Sequence, residues 1–555
     1  MNERPFVHNG ITLLSGIEPV RRAEKAADAV SVKDRTLFFC PSPLYGYGLS
    51  RLLERIEKEE PSCAVLCIEA DPELYELAKK NILPPLIEDK KFCLTNICEI
   101  EKLYTLINSK WGSRAFRRVE LLKFTGGFRL FPEIYDSLCG ALRREFATEW
   151  SNVLTLTKLG RLYIRNTLRN IPLASRFSSL ADLSFDDAPV LVLGAGPSLD
   201  DVLDRLSSEP LITEERKFKI ICVDTCLGAL KDRGIVPDLV VILESQHWNL
   251  RDFIGVKGWN ICAAVDLSSL PASAKILAGN AYLFFTPWTQ LRIFERLKQA
   301  GLLPAVISPL GSVGLTAVEI ARRLTRGKII CAGLDFSFTV DKYHARGTPG
   351  HREKLNLQTR LSRLFNRAAF KESSITEVSK SGQNVRSNPI MKNYRNLFEQ
   401  EFSGDERVYD IEGTGLPLGV KTLSIEKLKE ELRKENNHGG HRGHGEDNKK
   451  KPDREVCEKT EGFIRGKKEK INSFFEGERE RLEELRGILT GEAAADRERL
   501  GVLIDECDYL WAHFPDYAGL RTTDSDASHA WQPDLTDISF LNRVRMEIDI
   551  MLKLV

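Results

Sequence analysis

Apolar residues run unbroken over Val190–Leu193, a length that suits a strand buried on both faces, and the run stops at Gly194. After the small turn Gly194, Ala195 and Gly196, Pro197 and Ser198 open a segment in which Leu199, Val202, Leu203 and Leu206 recur at helical spacing. The unit then repeats: residues 218–223 predict a second strand ending at Asp224, 225–233 a helix, and 239–243 a third strand ending at Glu244. Further on, residues 306–313 lead through Gly311 and Ser312 into a helix over 315–325, whose Val318, Ala321 and Leu324 share a face. Residues 328–332 supply another strand, which ends in Gly333, Leu334 and Asp335. Strands alternating with helices predict a Rossmann-like α/β domain, in which ligands gather at the carboxyl ends of the strands.

The flanking patterns differ. Residues 36–39, a glycine turn over 41–48, a helix over 49–57 and a strand over 64–68 ending in Glu69 and Asp71 predict a smaller N-terminal Rossmann-like domain. Two prolines in its turn remove N–H donors, so a methyltransferase-shaped domain without catalysis is expected there. Residues 109–180 become helical and rich in arginine; Arg161, Arg165 and Arg169 recur at i, i+4 spacing and read as a solvated connector face. Residues 436–453 lose all periodicity, and their His438, His441 and His444 read as part of a flexible linker. Beyond it the chain is helical and charged, with Leu482, Leu485, Ile488 and Leu489 forming one apolar stripe of a bundle seam. The expected division is an N-terminal Rossmann-like domain (1–108), a helical connector (109–187), a central domain (188–430), a linker (431–455) and an α-helical C-terminal domain (456–555) that docks a protein acceptor.

Composition narrows the class. The 555 residues have room for several domains, and 80 basic against 79 acidic residues give no whole-chain field that would select nucleic acid. The 12 cysteines form no CxxC pair, and Cys67, Cys222 and Cys331 fall inside apolar runs, as reduced core thiols would. No zinc site is expected. The first residues lack an apolar signal core and no stretch has the length of a membrane span, so a soluble cytoplasmic protein is expected.

Candidate chemistry concentrates around the predicted strand ends. Gly194, Gly196, Pro197 and Ser198, and again Gly311 and Ser312, stand where backbone N–H groups and a hydroxyl at a helix start meet a phosphate. Asp224, Glu244, Gly333 and Asp335 line the same expected crevice, and the loop beyond carries Lys342, Tyr343, His344, Arg346, His351 and Arg352.

These residues resemble a known family. Gly194–Leu199 in the order Gly-Ala-Gly-Pro-Ser-Leu, Val223-Asp-Thr, residues 234–240, residues 311–313, and Gly333-Leu-Asp-Phe336 followed by His344 and Ala345 resemble the motility-associated factor (Maf) glycosyltransferases and their MptE-like, pterin pyrophosphokinase-like relatives. Tyr394, Tyr409, Asp410 and Gly413-Thr-Gly415 resemble the closing strand and loop of the same domain. The resemblance spans roughly residues 188–430 and extends to bacterial sialyltransferases. It implies transfer of a sialic-acid-like nonulosonic sugar from a CMP-activated donor to Ser or Thr of flagellin, without metal or further cofactor. It also implies His344 as general base, titrating as a histidine does; the donor carboxylate and leaving phosphate need positive or hydroxyl partners, for which Arg346 and Tyr343 are the nearest candidates in sequence. Two departures stand out: Glu244 occupies a place where the family more often has Asp, and the sialyltransferase histidine lies farther downstream, which leaves His351 as an alternative base. Two other readings stay open: a pterin pyrophosphokinase-like enzyme holding Mg²⁺ on Asp224 and Glu244, and a non-catalytic nucleotide-binding flagellar assembly factor.

Overall fold

The computed structural model describes residues 5–82, 84–112, 115–207, 216, 218–361, 366–437, 454–491, 497–518 and 533–555, and the chain divides into two compact units. The first comprises residues 1–159 with 512–531, the second residues 160–511 with 532–555. The three histidines of the expected linker lie outside the described residues.

In the first unit, β1 (Phe6–His8) and β2 (Ile11–Leu14) form an antiparallel hairpin. A parallel sheet follows, built from β3 (Thr36–Pro41), β4 (Ala64–Ile68), β5 (Phe92–Thr95) and β6 (Arg118–Leu121) in the order β5-β4-β3-β6. β3 and β4 are buried throughout, which is why they read as unbroken apolar runs. The acid that ends β4 serves the fold. Glu69 is fully buried and accepts from Ser42 Oγ at 2.6 Å, from Asp71 N at 3.1 Å and from Tyr135 OH at 3.3 Å. Asp71 caps the next helix through Glu73 N and Leu74 N. Both oxygens of Glu69 are thus engaged within the fold.

The second unit is organised on one broad sheet. Its strands are β7 (Ser178–Ser179), β8 (Val190–Leu193), β9 (Lys219–Val223), β10 (Leu239–Ile242), β11 (Cys262–Asp266), β12 (Ala281–Phe285), β13 (Ala305–Val306) and β14 (Ile329–Ala332). The antiparallel hairpin β15 (Ile375–Val378) and β16 (Asn384–Ser387) stands apart, and β17 (Val408–Ile411) and β18 (Lys421–Leu423) complete the sheet. The order is β13-β12-β11-β10-β9-β8-β14-β17-β18, with β7 beside β12, and all its pairings are parallel. From β8 the chain steps one way to β13, then returns to the other side of β8 with β14. The crevice between β8 and β14 is thus the topological switch point, where ligands of such sheets bind. All four residues of β8 are buried, and each such Val or Leu contributes about 1.5–3 kcal/mol of transfer free energy.

Three sequence expectations are corrected here. The C-terminal helices are not a separate domain: residues up to 511 and from 532 onward belong to the second unit, and residues 512–531 to the first. Their attachment is a buried ion pair. Arg296 Nε and Nη2 donate to the Glu478 carboxylate at 2.6 and 2.9 Å, and Glu478, fully buried, also accepts from Tyr509 OH at 3.2 Å. The helical connector is not a domain either, because the helix Pro132–Asn170 is shared between the units at residue 159. Nor is its arginine stripe merely solvated: Arg161 pairs with the buried Glu547 of the helix Ile538–Met551. That helix end also seals part of the sheet. Asn166 Nδ2 donates to the carbonyls of Ser245 and Ser268 at 3.0 and 3.1 Å, and Asn170 Nδ2 to those of Leu267 and Ser269 at 3.0 and 2.9 Å. The Asn166 carboxamide therefore bridges the segments that follow β10 and β11, and Asn170, one helical turn further on, holds the segment after β11.

Candidate active site

At the switch point two turns lock together. Gly194 N donates to Ala332 O at 2.8 Å and Gly196 N to Gly333 O at 2.8 Å. Ser198 N donates to Asp335 Oδ2 at 2.7 Å, and its hydroxyl donates to Asp335 Oδ1. Glycine is required by this approach: a Cβ at Gly196 would lie 2.6 Å from Asp335 Cγ, and one at Gly194 2.5 Å from Gly333 O. Gly333 itself has φ +70°, which an L side chain resists. The expected phosphate cradle is corrected accordingly. The N–H groups of Gly194, Gly196 and Ser198 are engaged by the neighbouring turn, Pro197 has none, and Pro197 and Ser198 are buried. Asp335, 3% exposed, is a structural acceptor whose pKa burial raises.

Beside it lies a second buried pair. Lys380 Nζ donates to Asp410 Oδ1 at 2.8 Å and to Ile411 O at 2.7 Å; burial pushes the Asp410 pKa up to about 6 against the pull of Lys380. Lys380 N donates to Gly415 O at 2.9 Å and Leu416 N to Asp335 O at 2.9 Å, so the loop 413–415 packs on the same knot.

The loop after Asp335 is pinned to the helix Leu199–Ser207 by one residue. Asp200, 1% exposed, accepts from Lys342 Nζ at 2.8 Å, from Arg346 N at 2.9 Å and from Arg233 Nη2 at 3.1 Å. Burial alone would raise its pKa, but these donors hold the carboxylate below the usual value. Arg346 also pairs with Asp204, so its guanidinium is committed to this helix, which corrects its expected role as partner of a donor carboxylate.

His344 is placed differently. Its Nδ1 lies 3.3 Å from Ala195 O, and a carbonyl only accepts, so the proton sits on Nδ1 and Nε2 keeps its lone pair. Burial is the main reason its pKa falls to about 4, with Lys354 and Arg251 adding to the fall. The imidazole is therefore neutral near pH 7. Tyr343 meets it edge to face at 4.8 Å between centroids and stacks on Phe338 at 4.9 Å. His351, on the helix Pro349–Asn356, also has a lowered pKa, chiefly by burial.

The remaining predicted residues surround this knot. Gly314, the second residue of the helix Val313–Leu324, abuts Leu334, which also abuts Gly194. This sets Gly311 and Ser312 at the crevice, with Tyr394 Cε1 3.1 Å from where a Gly311 side chain would begin. Ser312 is the N-cap residue, yet its hydroxyl makes no cap bond.

Asp224 does not face the crevice. It is 3% exposed and accepts from Thr225 N at 2.8 Å and from Asn249 Nδ2 at 2.6 Å; burial pushes its pKa up to about 6. Asn249 also reaches Asp252 at 3.5 Å, and Ser273 Oγ donates to Asn249 Oδ1 at 2.9 Å, holding the amide in place. Burial, then the Asp224 charge, push the Asp252 pKa up to about 7. Glu244 is exposed, and its Oε1 accepts from Gln246 N at 2.9 Å. A buried acid with both oxygens engaged and an exposed one make a poor Mg²⁺ pair, and among the described residues no group of three or more His, Cys, Asp or Glu side chains could hold a metal. Asp252, Asn249, Asp200 and Lys354 were not singled out in the sequence. Only Asp200 carried a signal, as an acidic residue in the first turn of a helix.

Residues 165–341, which include the first turn of the knot, β14 and Asp335, match the family described as 6-hydroxymethylpterin diphosphokinase MptE-like. The whole chain superposes on the Maf glycosyltransferase from Magnetospirillum magneticum AMB-1 with a TM-score of 0.50 and 15% identity, over 100% of this chain and 84% of the other. Over residues 165–341 the chain is similar to the MptE-like family. An uncharacterized protein of Treponema pallidum (strain Nichols) is 29% identical over 548 residues, 96% of this chain and 90% of its own length. The Maf likeness shows the fold, a Rossmann-like α/β architecture with a helical C-terminal region. The MptE-like match covers β8–β14, the strands that create the switch point. No helix among the described residues is long and apolar enough to cross a membrane.

Proposed function

We propose that this chain is a glycosyltransferase that moves a nonulosonic sugar from a CMP-activated donor to Ser or Thr hydroxyls of flagellin. The observation that carries this reading is His344: a neutral imidazole beside the switch point, its tautomer set by the Ala195 carbonyl and its Nε2 lone pair kept for an incoming proton. In the transfer the acceptor oxygen bonds to the anomeric carbon, its proton passes to Nε2, and the bond from that carbon to the phosphate oxygen breaks with its electrons on the phosphate. A base needs no metal for this step. The start of the helix Val313–Leu324, preceded by the exposed Gly311 and the half-buried Ser312, offers N–H groups to the leaving phosphate. Tyr343, half-buried against His344, supports the ring edge to face. The Maf glycosyltransferase whose fold this chain shares supports the reaction class, and the poor fit of Asp224 and Glu244 to Mg²⁺ counts against the pyrophosphokinase reading. A transfer assay with flagellin and a CMP-nonulosonic acid tests the reading. Labelled flagellin is expected with the native chain and not with His344→Ala; native chain that binds CMP but releases no CMP in the presence of both substrates would overturn it.

A further inference from the structure

Next to His344 stands a cation that the transfer step has not used. Lys354 lies on the helix Pro349–Asn356; its ammonium donates to Asn366 Oδ1 at 3.4 Å and sits 5.8 Å from the centroid of the Tyr343 ring. Asn366 is 1% exposed and fixed in turn, Nδ2 donating to Thr339 O at 3.0 Å and Oδ1 accepting from Ala368 N at 3.2 Å. The other cations of this loop and its surroundings have counter-charges: Lys342 and Arg346 on Asp200, and Arg352 on Asp232 at 2.5 Å. Lys354 differs. Among the described residues no carboxylate lies within ion-pair distance of it, and the adjoining Glu353 pairs instead with Arg251 at 3.6 Å. A half-buried ammonium whose partners among the described residues are an amide oxygen and an aromatic face is costly to keep, and burial lowers its pKa. Its field reaches the neighbouring bases, lowering the pKa of both His344 and His351.

We propose that Lys354 is the anion-binding residue of this site, taking a phosphate or carboxylate oxygen of the substrate beside His344. This fills the role that the sequence gave to Arg346. The inference rests on the glycosyl-transfer reading only for the identity of the anion. In that reaction the phosphate gains charge as its bond to the sugar breaks, and an ammonium already stripped of part of its water stabilises that charge more than a hydrated one would.

The test is calorimetric titration of the full chain with pyrophosphate, CMP, ATP and free N-acetylneuraminate, using the native protein, Lys354→Met and Lys354→Arg. Binding of the anion is expected to weaken at least tenfold in Lys354→Met and to recover in part in Lys354→Arg. Loss confined to pyrophosphate and the nucleotides assigns a phosphate, and loss confined to N-acetylneuraminate assigns the carboxylate. Equal affinities in native protein and Lys354→Met overturn the inference, as does a native chain that binds none of the four. Tenfold loss for ATP or pyrophosphate with no CMP binding by the native chain keeps Lys354 and rejects the CMP donor. Independently of any ligand, removing the ammonium is expected to raise the His344 titration midpoint followed by NMR; an unchanged midpoint also counts against it.

Discussion

Ser198 gives both of its donors, the backbone N–H at 2.7 Å and the hydroxyl, to the carboxylate of Asp335, 137 residues further along the chain. This clasp joins the turns after β8 and β14, and everything placed near the switch point inherits its position from it. Removing the acceptor leaves two buried donors without partners. Asp335→Ala is therefore expected to lower unfolding free energy by about 2–5 kcal/mol, and Ser198→Ala by about 1.5–3 kcal/mol. Urea unfolding checks both; a Ser198→Ala midpoint equal to the native one would show that the clasp contributes nothing.

His344→Ala is expected to reduce turnover by about a hundred to ten thousand fold while leaving nucleotide affinity near native, because base and phosphate contacts lie on different elements. His351→Ala serves as comparator. The pH profile carries a sharper signature. An ordinary histidine titrates near 6.5, but His344 is held at about 4 by burial, so the sequence-based expectation of a histidine-like rise is corrected: this group gives no rise in activity between pH 6 and 8. A rise there that disappears in His344→Ala would contradict the buried geometry.

Asp224 and Asp252 set an opposite trend in stability. Their folded pKa values, about 6 and about 7, lie above the unfolded value of 3.8. Between those limits the folded state binds more protons than the unfolded one, so their share of stability falls as pH rises from about 4 to 7. Asp252→Asn is expected to raise Tm at pH 8 and to change it little at pH 4; the same Tm gain at both pH values would sink the assignment.

Asp200→Asn removes the charge on which Lys342, Arg346 and Arg233 converge. Breaking a buried pair from one side costs about 3–5 kcal/mol, and here it also frees the loop that carries His344. Faster proteolytic cleavage within residues 339–352, accompanied by lower turnover, is the expected result. Cleavage at the native rate would mean that the loop is held by other contacts.

Truncation after Asn437 would leave Arg296 without Glu478 and expose the surface of the second unit that the C-terminal helices cover. A Tm several degrees lower is expected, together with a similar loss in Arg296→Met, and scanning calorimetry reads both. A truncated chain that melts like the native one would restore the independent C-terminal domain that the sequence had implied.

The fold was legible where burial is written locally. β8, β9, β10 and β14 are buried parallel strands, so they appear as short apolar runs ending in glycine or acid, and the alternation with helices gives the α/β class. The partners of the site residues were not legible, because hydrogen bonds such as Ser198 to Asp335 or Asp200 to Lys342 join positions that no periodicity connects. Gly196 shows the difficulty. A glycine turn before a helix has the same sequence whether its N–H groups face a phosphate or a second turn, and only the approach of Asp335 decides between them. Lys354 was hidden for a related reason: its distinction is that no carboxylate among the described residues pairs with it, and spacing along the chain does not reveal that.

The position of β8 bears on the order in which the protein is made. Its neighbours in the sheet are β9 and β14, whose pairing begins at Lys219 on one side and Ile329 on the other. A chain still attached to the ribosome, with Ile329 not yet out of the exit tunnel, has β8 as an open edge and no Asp335 to close its turn. The crevice at the switch point is thus assembled late in synthesis, after β9–β13 have emerged, and nascent fragments ending earlier present an apolar strand edge.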